Sequence, residues 1–193
     1  MKKITIVLTL ALCLAMTGCG SENTNTESST PMSSSSAVES KVESSSSSEA
    51  ESKPVFEEKD GLLVYTDLKN SPFEQSGFAI SIKQGDDGYA NFVITDLNGN
   101  ETKEYYKFDF STNTVEQYYY VSAMGTGFYY TFDLTSDELV KVEDDNREDS
   151  TESTKKSGRF DGAAERTKEA VHKILDYFND NYGKSIEDMV KNK

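Results

Sequence analysis

The chain contains few of the residues on which enzymes and metal sites usually depend. It has no tryptophan, one histidine and two cysteines in 193 residues. Cys13 lies inside an apolar N-terminal run, so Cys19 is the only thiol after that run, and His172 lies at the margin of an apolar helical stripe. Common zinc sites need several His or Cys ligands, and nucleophilic pairs need a His beside a Ser or Cys. No catalytic residue, metal site or cofactor site is therefore predicted.

Positive charge is also scarce. The formal net charge of the chain is -14. Without the lysines at positions 2 and 3 it is -16, and without the six Glu and two Lys of 20–53 it is -12 for residues 54–193. An acidic domain is repelled by nucleic acid and by anionic lipid headgroups. We therefore expect no nucleic-acid partner. The acidity indicates either a soluble extracellular domain or a cation-binding one.

The N-terminal stretch predicts where the chain is located. Two lysines precede an apolar run at 4–16 that is too short to span a membrane as a helix, and Gly18 and Cys19 follow it. This arrangement resembles the lipobox of bacterial lipoproteins, although Met16 stands where Leu is usual. The resemblance implies that residues 1–18 are a signal peptide and that the Cys19 thiol carries a diacylglycerol, which anchors the chain on the outer face of the cell membrane. A secreted protein or an uncleaved anchor is the alternative.

Residues 19–53 form a Ser- and Glu-rich linker that begins with the lipidated cysteine. They contain almost no apolar side chains whose burial would offset the entropy of ordering the backbone, so disorder is expected. As a flexible coil, the residues after Cys19 average about 30 to 35 Å from end to end. Ser-rich tethers of this kind resemble those of Gram-positive surface lipoproteins.

Residues 54–193 read as an α+β domain. Short apolar or alternating runs predict strands at 61–66, 77–83, 89–95, 103–110, 115–122, 128–134 and 139–142. Asn98-Gly99 predicts a type I′ hairpin turn, and Gly99 is at the fourth rather than the sixth place required by a calcium loop. The prediction is an antiparallel β-meander of about six to seven strands.

A C-terminal helix is predicted to pack on one face of the meander. An apolar stripe with spacings of three and four consists of Thr167, Val171, Ile174, Phe178 and Tyr182. The helix is expected at about 161–181, with Gly183 as its C-terminal cap and Ser185 opening a short last helix. The polar segment at 143–160 is predicted to be a mobile loop before it.

Tyrosine is the abundant aromatic residue, with eleven in the chain. Period two places four of them on the sheet face opposite the helix: Tyr105, Tyr118, Tyr120 and Tyr129. Tyrosine suits strands, so these residues are either ordinary sheet packing or an aromatic platform for a glycan, a peptide or a partner protein.

Two hypotheses of function follow from these patterns. The first is an extracellular, non-enzymatic binding module of the cell envelope, held at the membrane through Cys19. The alternative is a cell-wall or glycan-processing enzyme that uses paired carboxylates, because an acidic domain contains many carboxyl pairs.

Overall fold

The computed structural model of the chain describes residues 54–192, which form one sheet and three helices. The strands are β1 (Glu57–Lys59), β2 (Leu62–Asp67), β3 (Gly77–Lys83), β4 (Tyr89–Thr95), β5 (Glu101–Asp109), β6 (Thr114–Val121), β7 (Thr126–Asp133) and β8 (Glu138–Asp144). The helices are α1 (Thr151–Lys156), α2 (Phe160–Tyr182) and α3 (Ile186–Val190).

The eight strands pair in sequence order, and every neighbouring pair is antiparallel. The predicted α+β meander is confirmed, with eight strands instead of six to seven. The apolar pattern misses β1 because its three residues, Glu-Glu-Lys, are all charged and exposed. β1 joins β2 through Asp60 and Gly61, whose positive φ values of 53° and 76° match a type I′ turn.

The hairpin between β4 and β5 is present, but its turn is not type I′. Gly99 has a positive φ of 86°, and Asn98 before it does not. The Asp96 carboxylate accepts hydrogen bonds from the backbone N–H groups of Asn98 and Asn100, at 2.8 and 2.9 Å, and so stabilises a longer loop. The prediction of the turn type was wrong because this side-chain acceptor competes with the two-residue turn.

α2 packs across one face of the sheet and forms the main core with it. Phe78, Phe92 and Phe108 of the sheet are fully buried, as are Ile174 and Phe178 of α2. All five residues of the predicted helical stripe are buried. The docking of the helix on the apolar face is therefore confirmed, and burial of each large side chain contributes roughly 1.5 to 3 kcal/mol.

The predicted helix ends are present as well. Gly183 has a φ of 67°, and its N–H donates to the carbonyl of Asn179 at 2.8 Å. Ser185 Oγ accepts a hydrogen bond from the Asp188 N–H at 3.0 Å. No helix among residues 54–192 is long and apolar enough to cross a membrane. The predicted signal peptide, Cys19 and the linker lie outside the described residues.

The segment at 143–160 is not the structureless loop that its polar sequence predicts. It contains the end of β8, a turn and the helix α1. Asp144 Oδ1 accepts two backbone N–H groups of the turn at 2.8 and 2.9 Å. The hydroxyl of buried Thr151 accepts a hydrogen bond from the Val142 N–H at 2.9 Å. Polar side chains satisfy the backbone here, which a search for apolar periodicity does not detect.

Candidate functional site

One helix cannot cover the whole sheet, and the uncovered part on the α2 side forms a groove. α2 is about 34 Å long but only about 10 Å wide, whereas β5, β6 and β7 are each about 26 to 30 Å long. The groove consists of two adjoining cavities of about 360 and 350 Å³. Both are lined by Tyr119, Tyr130, Ala163 and Arg166, and together they are called the α2 groove below.

The sheet wall of the α2 groove presents tyrosine hydroxyls. Tyr106, Tyr119 and Tyr130 come from neighbouring strands and share a face because side chains alternate along each strand. Tyr119 is 43% exposed, and within residues 54–192 neither its hydroxyl nor that of Tyr130 forms a hydrogen bond. Gln117 accepts a hydrogen bond from Thr167 Oγ1 at 2.8 Å and donates one to the Tyr106 hydroxyl at 2.9 Å. The Tyr106 hydroxyl therefore retains its own proton for donation to a ligand.

The helix wall carries two of the three arginines in the chain. Arg159 and Arg166 are exposed, and in the part of the chain that the structure describes neither forms an ion pair. Arg159 Nε donates a hydrogen bond to Ser157 Oγ at 2.9 Å. The third arginine, Arg147, pairs with Glu116 on the other face of the sheet. A guanidinium presents a planar fork of donors, so these two side chains are suited to carboxylate or phosphate groups.

The carboxylates of the groove line the other cavity. Glu74 and Glu104 contribute to the cavity beside Phe73, whereas the cavity that contains Arg159 has no Asp or Glu in its lining. Burial raises the pKa of Glu104, although a hydrogen bond from the Tyr120 N–H opposes the shift. A carboxyl group with a raised pKa in a cleft is a frequent mark of functional sites. Glu104 is therefore the groove residue best suited to proton transfer.

The four tyrosines predicted as a platform lie on the opposite face of the sheet. The ring centroids of Tyr105 and Tyr118 are 6.0 Å apart, and those of Tyr118 and Tyr129 are 4.6 Å apart. Tyr120 lies at the end of β6, where Lys103 Nζ is 4.1 Å from its ring centroid. The structure thus brings three of the four rings together and pairs the fourth with a lysine.

Tyr118 is a buried residue, with 9% of its surface exposed. Its ring packs over Gly127, where an added Cβ would lie 2.3 Å from the ring. Its hydroxyl donates to the Asp145 carboxylate at 2.8 Å, which raises the pKa of Tyr118 to about 12. The expectation of an exposed Tyr118 was wrong because the turn between β8 and α1 contacts this face.

Tyr105 and Tyr129 belong to an ionic network on the same face. The Tyr105 hydroxyl donates to Glu116 at 2.6 Å, and Arg147 Nη1 donates to the same carboxylate at 2.6 Å. The guanidinium carbon of Arg147 lies 3.3 Å from the centroid of the Tyr129 ring. Burial alone would raise the pKa of Glu116, but the hydrogen bonds from Arg147 and Tyr105 hold it below its usual range. These polar groups satisfy one another, which is typical of a structural surface.

Period two places Tyr130 on the apolar side of the sheet and Tyr119 on the same face of its strand as Val115, but this pattern does not identify the groove. Two signals were available in the sequence. Arg159, which immediately precedes α2, and Arg166 within it are seven positions apart, or about two helical turns, so they project from similar sides. They are also two of only three arginines in a strongly acidic chain.

Comparison with known proteins gives no relative. No protein-family model, curated protein or solved structure matches the chain. Among residues 54–192, no group of His, Cys, Asp and Glu side chains is arranged to hold a metal ion.

Proposed function

We propose that the chain is a lipid-anchored binding module of the cell envelope, and that it binds its partner in the α2 groove. The observation that supports this is one concave surface that combines aromatic rings with tyrosine hydroxyls and two guanidiniums. Within residues 54–192 the hydroxyls of Tyr119 and Tyr130 form no hydrogen bond, and the two guanidiniums form no ion pair. Ligand sites in proteins are typically clefts of about 300 to 1,000 Å³ with an apolar lining and a few polar groups. Both cavities of the groove fall in this range.

The tyrosine cluster on the opposite face supports binding less well. Tyr118 is buried, and the hydroxyls of Tyr105 and Tyr118 already donate to carboxylates. A partner at that face would have to replace these hydrogen bonds, whereas a partner in the groove would form new ones with the hydroxyls of Tyr119 and Tyr130. The groove therefore replaces the platform as the proposed site.

The anchor part of the proposal rests on the sequence alone. A diacylglycerol on Cys19 supplies two acyl chains, and two chains anchor a protein stably where one does not. The linker at 20–53 then allows the domain to reach partners about 30 Å from the lipid surface. Such an arrangement suits a module that binds another envelope component.

The proposal is tested by site-specific photocrosslinking on intact cells. A benzoylphenylalanine is placed at Tyr119, inside the groove, and a matched one at Thr131, which lies on a neighbouring strand and the opposite face. We expect an adduct of defined mass at Tyr119 and none at Thr131. Digestion of the adduct with a protease or a glycan hydrolase then identifies the class of partner. Adducts at Thr131 alone would move the site to the other face, and no adduct from either position would contradict a binding module.

Hydrolysis of a cell-wall glycan is a second candidate function, favoured by Glu104. A carboxyl group whose pKa is raised by burial is suited to act as a general acid, and Glu74 lines the same cavity. The test is release of reducing ends from purified cell-wall glycan by the parent chain and by Glu104→Gln, with exposed Glu138→Gln as the control. Release that is lost only in Glu104→Gln supports the enzyme. No release by the parent chain contradicts it.

A further inference from the structure

The cavity nearest the start of α2 differs in charge from the rest of the domain. Its lining includes Arg159 and Arg166 and no carboxylate. Lys155 and Lys156 end α1 just before Arg159, and Lys155 pairs with Glu152 at 3.2 Å. Residues 54–193 as a whole carry a net charge of -12. This cavity is therefore a locally positive site on an acidic domain.

The floor of the same cavity is apolar. Val121, Phe128 and Val142 line it, together with Met124, which is 60% exposed. An exposed methionine beside a cavity is an adaptable apolar contact, because its side chain is unbranched and flexible. A ligand that fills this cavity must therefore offer an apolar group as well as negative charge.

We propose that this end of the α2 groove binds an acidic peptide segment of a partner protein, in which two carboxylates flank an apolar side chain. This rests on the proposed function and adds the chemical class of the ligand. The carboxylates would pair with Arg159 and Arg166, and the apolar side chain would contact Phe128 and Met124. A polyanion without apolar groups satisfies the arginines but leaves the floor of the cavity exposed to water.

The spacing of the arginines sets the spacing of the acidic residues. Arg159 immediately precedes α2, and Arg166 lies seven positions later, in its second turn, a rise of about 10 Å along the helix axis. A polyproline II peptide has three residues per turn and rises about 3.1 Å per residue, so residues three apart share a side at a spacing of about 9 Å. The sequence Glu-x-x-Glu with an apolar residue at one of the two middle positions meets both conditions.

The first experiment measures binding of a defined probe to the full chain purified from membranes in detergent. The probe is a fluorescein-labelled peptide with the order Glu-Leu-Ser-Glu between Gly-Ser flanks, followed by fluorescence polarisation. One matched peptide replaces both Glu by Gln, and another replaces Leu by Ser. We expect each replacement to weaken binding about tenfold or more. Equal binding of the Gln peptide, or no binding of the Glu peptide, would overturn the proposal.

The second experiment assigns the contact to the groove arginines. Arg159→Gln and Arg166→Gln are each expected to weaken the Glu-Leu-Ser-Glu peptide about tenfold, because each loses a charge-assisted pair. Arg147→Gln is the matched control, since it removes the same charge from the opposite face and should change affinity less than about twofold. Equal weakening by all three variants would indicate a general charge effect and reject the site.

A charge exchange gives a gain of binding that misfolding cannot imitate. Two peptides are used, each with Lys in place of one of the two Glu residues. Arg166→Glu is expected to bind one of them more tightly than the original peptide, which reverses the preference of the parent chain. Unchanged preference rejects the pairing.

Inorganic polyphosphate is tested in the same assay. Stronger binding of polyphosphate than of the Glu peptide would show that the ligand is a polyanion and not an acidic peptide. If adducts still form at Tyr119 while every peptide fails, the proposed function stands and only the ligand class is wrong.

Discussion

Asp67 is a buried carboxylate whose removal should destabilise the domain strongly. It lies at the end of β2 and is 2% exposed. It accepts hydrogen bonds from the backbone N–H groups of Lys69 and Asn70, at 2.9 and 3.0 Å, and from the Tyr177 hydroxyl of α2 at 2.8 Å. The Tyr177 hydroxyl also lies 3.1 Å from that of Tyr182. This carboxylate therefore joins a loop of the sheet to the C-terminal part of α2.

The expected loss follows from the donors that would remain without a partner. Asp67→Ala leaves two backbone N–H groups without their acceptor and leaves the buried Tyr177 hydroxyl with Tyr182 as its remaining partner. Each donor that loses its acceptor costs about 1 to 3 kcal/mol. Because the loop amides can regain water, we expect a total loss of about 3 to 5 kcal/mol in the free energy of unfolding. Asp67→Asn keeps one acceptor oxygen and should cost about 1 to 2 kcal/mol. Against a typical total of about 5 to 15 kcal/mol, both effects are measurable.

The pKa of Asp67 adds a dependence on pH. Burial alone would raise this pKa, but hydrogen bonds from Asn70, Lys69 and Tyr177 outweigh it and hold the pKa below its usual value. In the unfolded chain an Asp titrates near about pH 3.9. The carboxylate therefore contributes its full stability above about pH 4, and the contribution is lost as the pH falls through the lower pKa of the folded state. The deficit of Asp67→Asn should shrink on acidification below about pH 4.

Urea denaturation at pH 7 and pH 3 measures both effects. Asp96→Asn is the matched control, because Asp96 accepts two similar backbone hydrogen bonds in an exposed turn and should matter less. A midpoint for Asp67→Ala equal to that of the parent chain would refute the argument from unpaired donors. A deficit of Asp67→Asn that is the same at both pH values would refute the argument from its pKa.

Three further predictions concern the anchor, the core and the opposite sheet face. Cys19→Ala should abolish labelling with a fatty-acid analogue and either release the chain from membranes or leave its signal peptide uncleaved, and unchanged labelling with membrane retention would contradict lipidation at this thiol. Ile174→Ala should cost about 2 to 5 kcal/mol in urea denaturation, whereas Lys173→Ala on the exposed side of α2 should stay close to the parent chain. Gly127→Ala should cost about 1 to 3 kcal/mol because its Cβ would displace the Tyr118 ring. An unchanged melting curve for Gly127→Ala would show that the ring moves aside freely.

The fold was largely predictable because its core follows simple periods. Phe108 alternates with polar neighbours along β5, and Val171, Ile174 and Phe178 repeat at helical spacing, so the two buried faces can be assigned from the sequence. The elements that were missed are those that polar groups stabilise. β1 has no apolar residue, and α1 follows a turn closed by Asp144, whose role depends on hydrogen bonds and not on burial.

The candidate site was not predictable because it depends on where α2 stops covering the sheet. Tyr119 and Tyr130 alternate with the same regularity as Phe128 and Phe132, and the sequence assigns all four to one side. Phe132 is 1% exposed in the core that α2 covers, whereas Tyr119 is 43% exposed in the groove. The angle at which a helix crosses a sheet depends on the packed side chains of both layers. Neither the helical period nor the strand period predicts it alone.

The neighbouring residues Tyr118 and Tyr119 show why an abundance of tyrosine does not locate a binding surface. They lie on opposite faces of β6, and the sequence does not show which of them has partners within the domain. Tyr118 has a glycine beneath its ring and a carboxylate at its hydroxyl, so both the ring and the hydroxyl already contact groups of the domain. Tyr119 has neither partner within residues 54–192 and faces a cavity. A tyrosine indicates binding when its ring and hydroxyl lack partners in the folded chain, and that property depends on contacts made by distant segments.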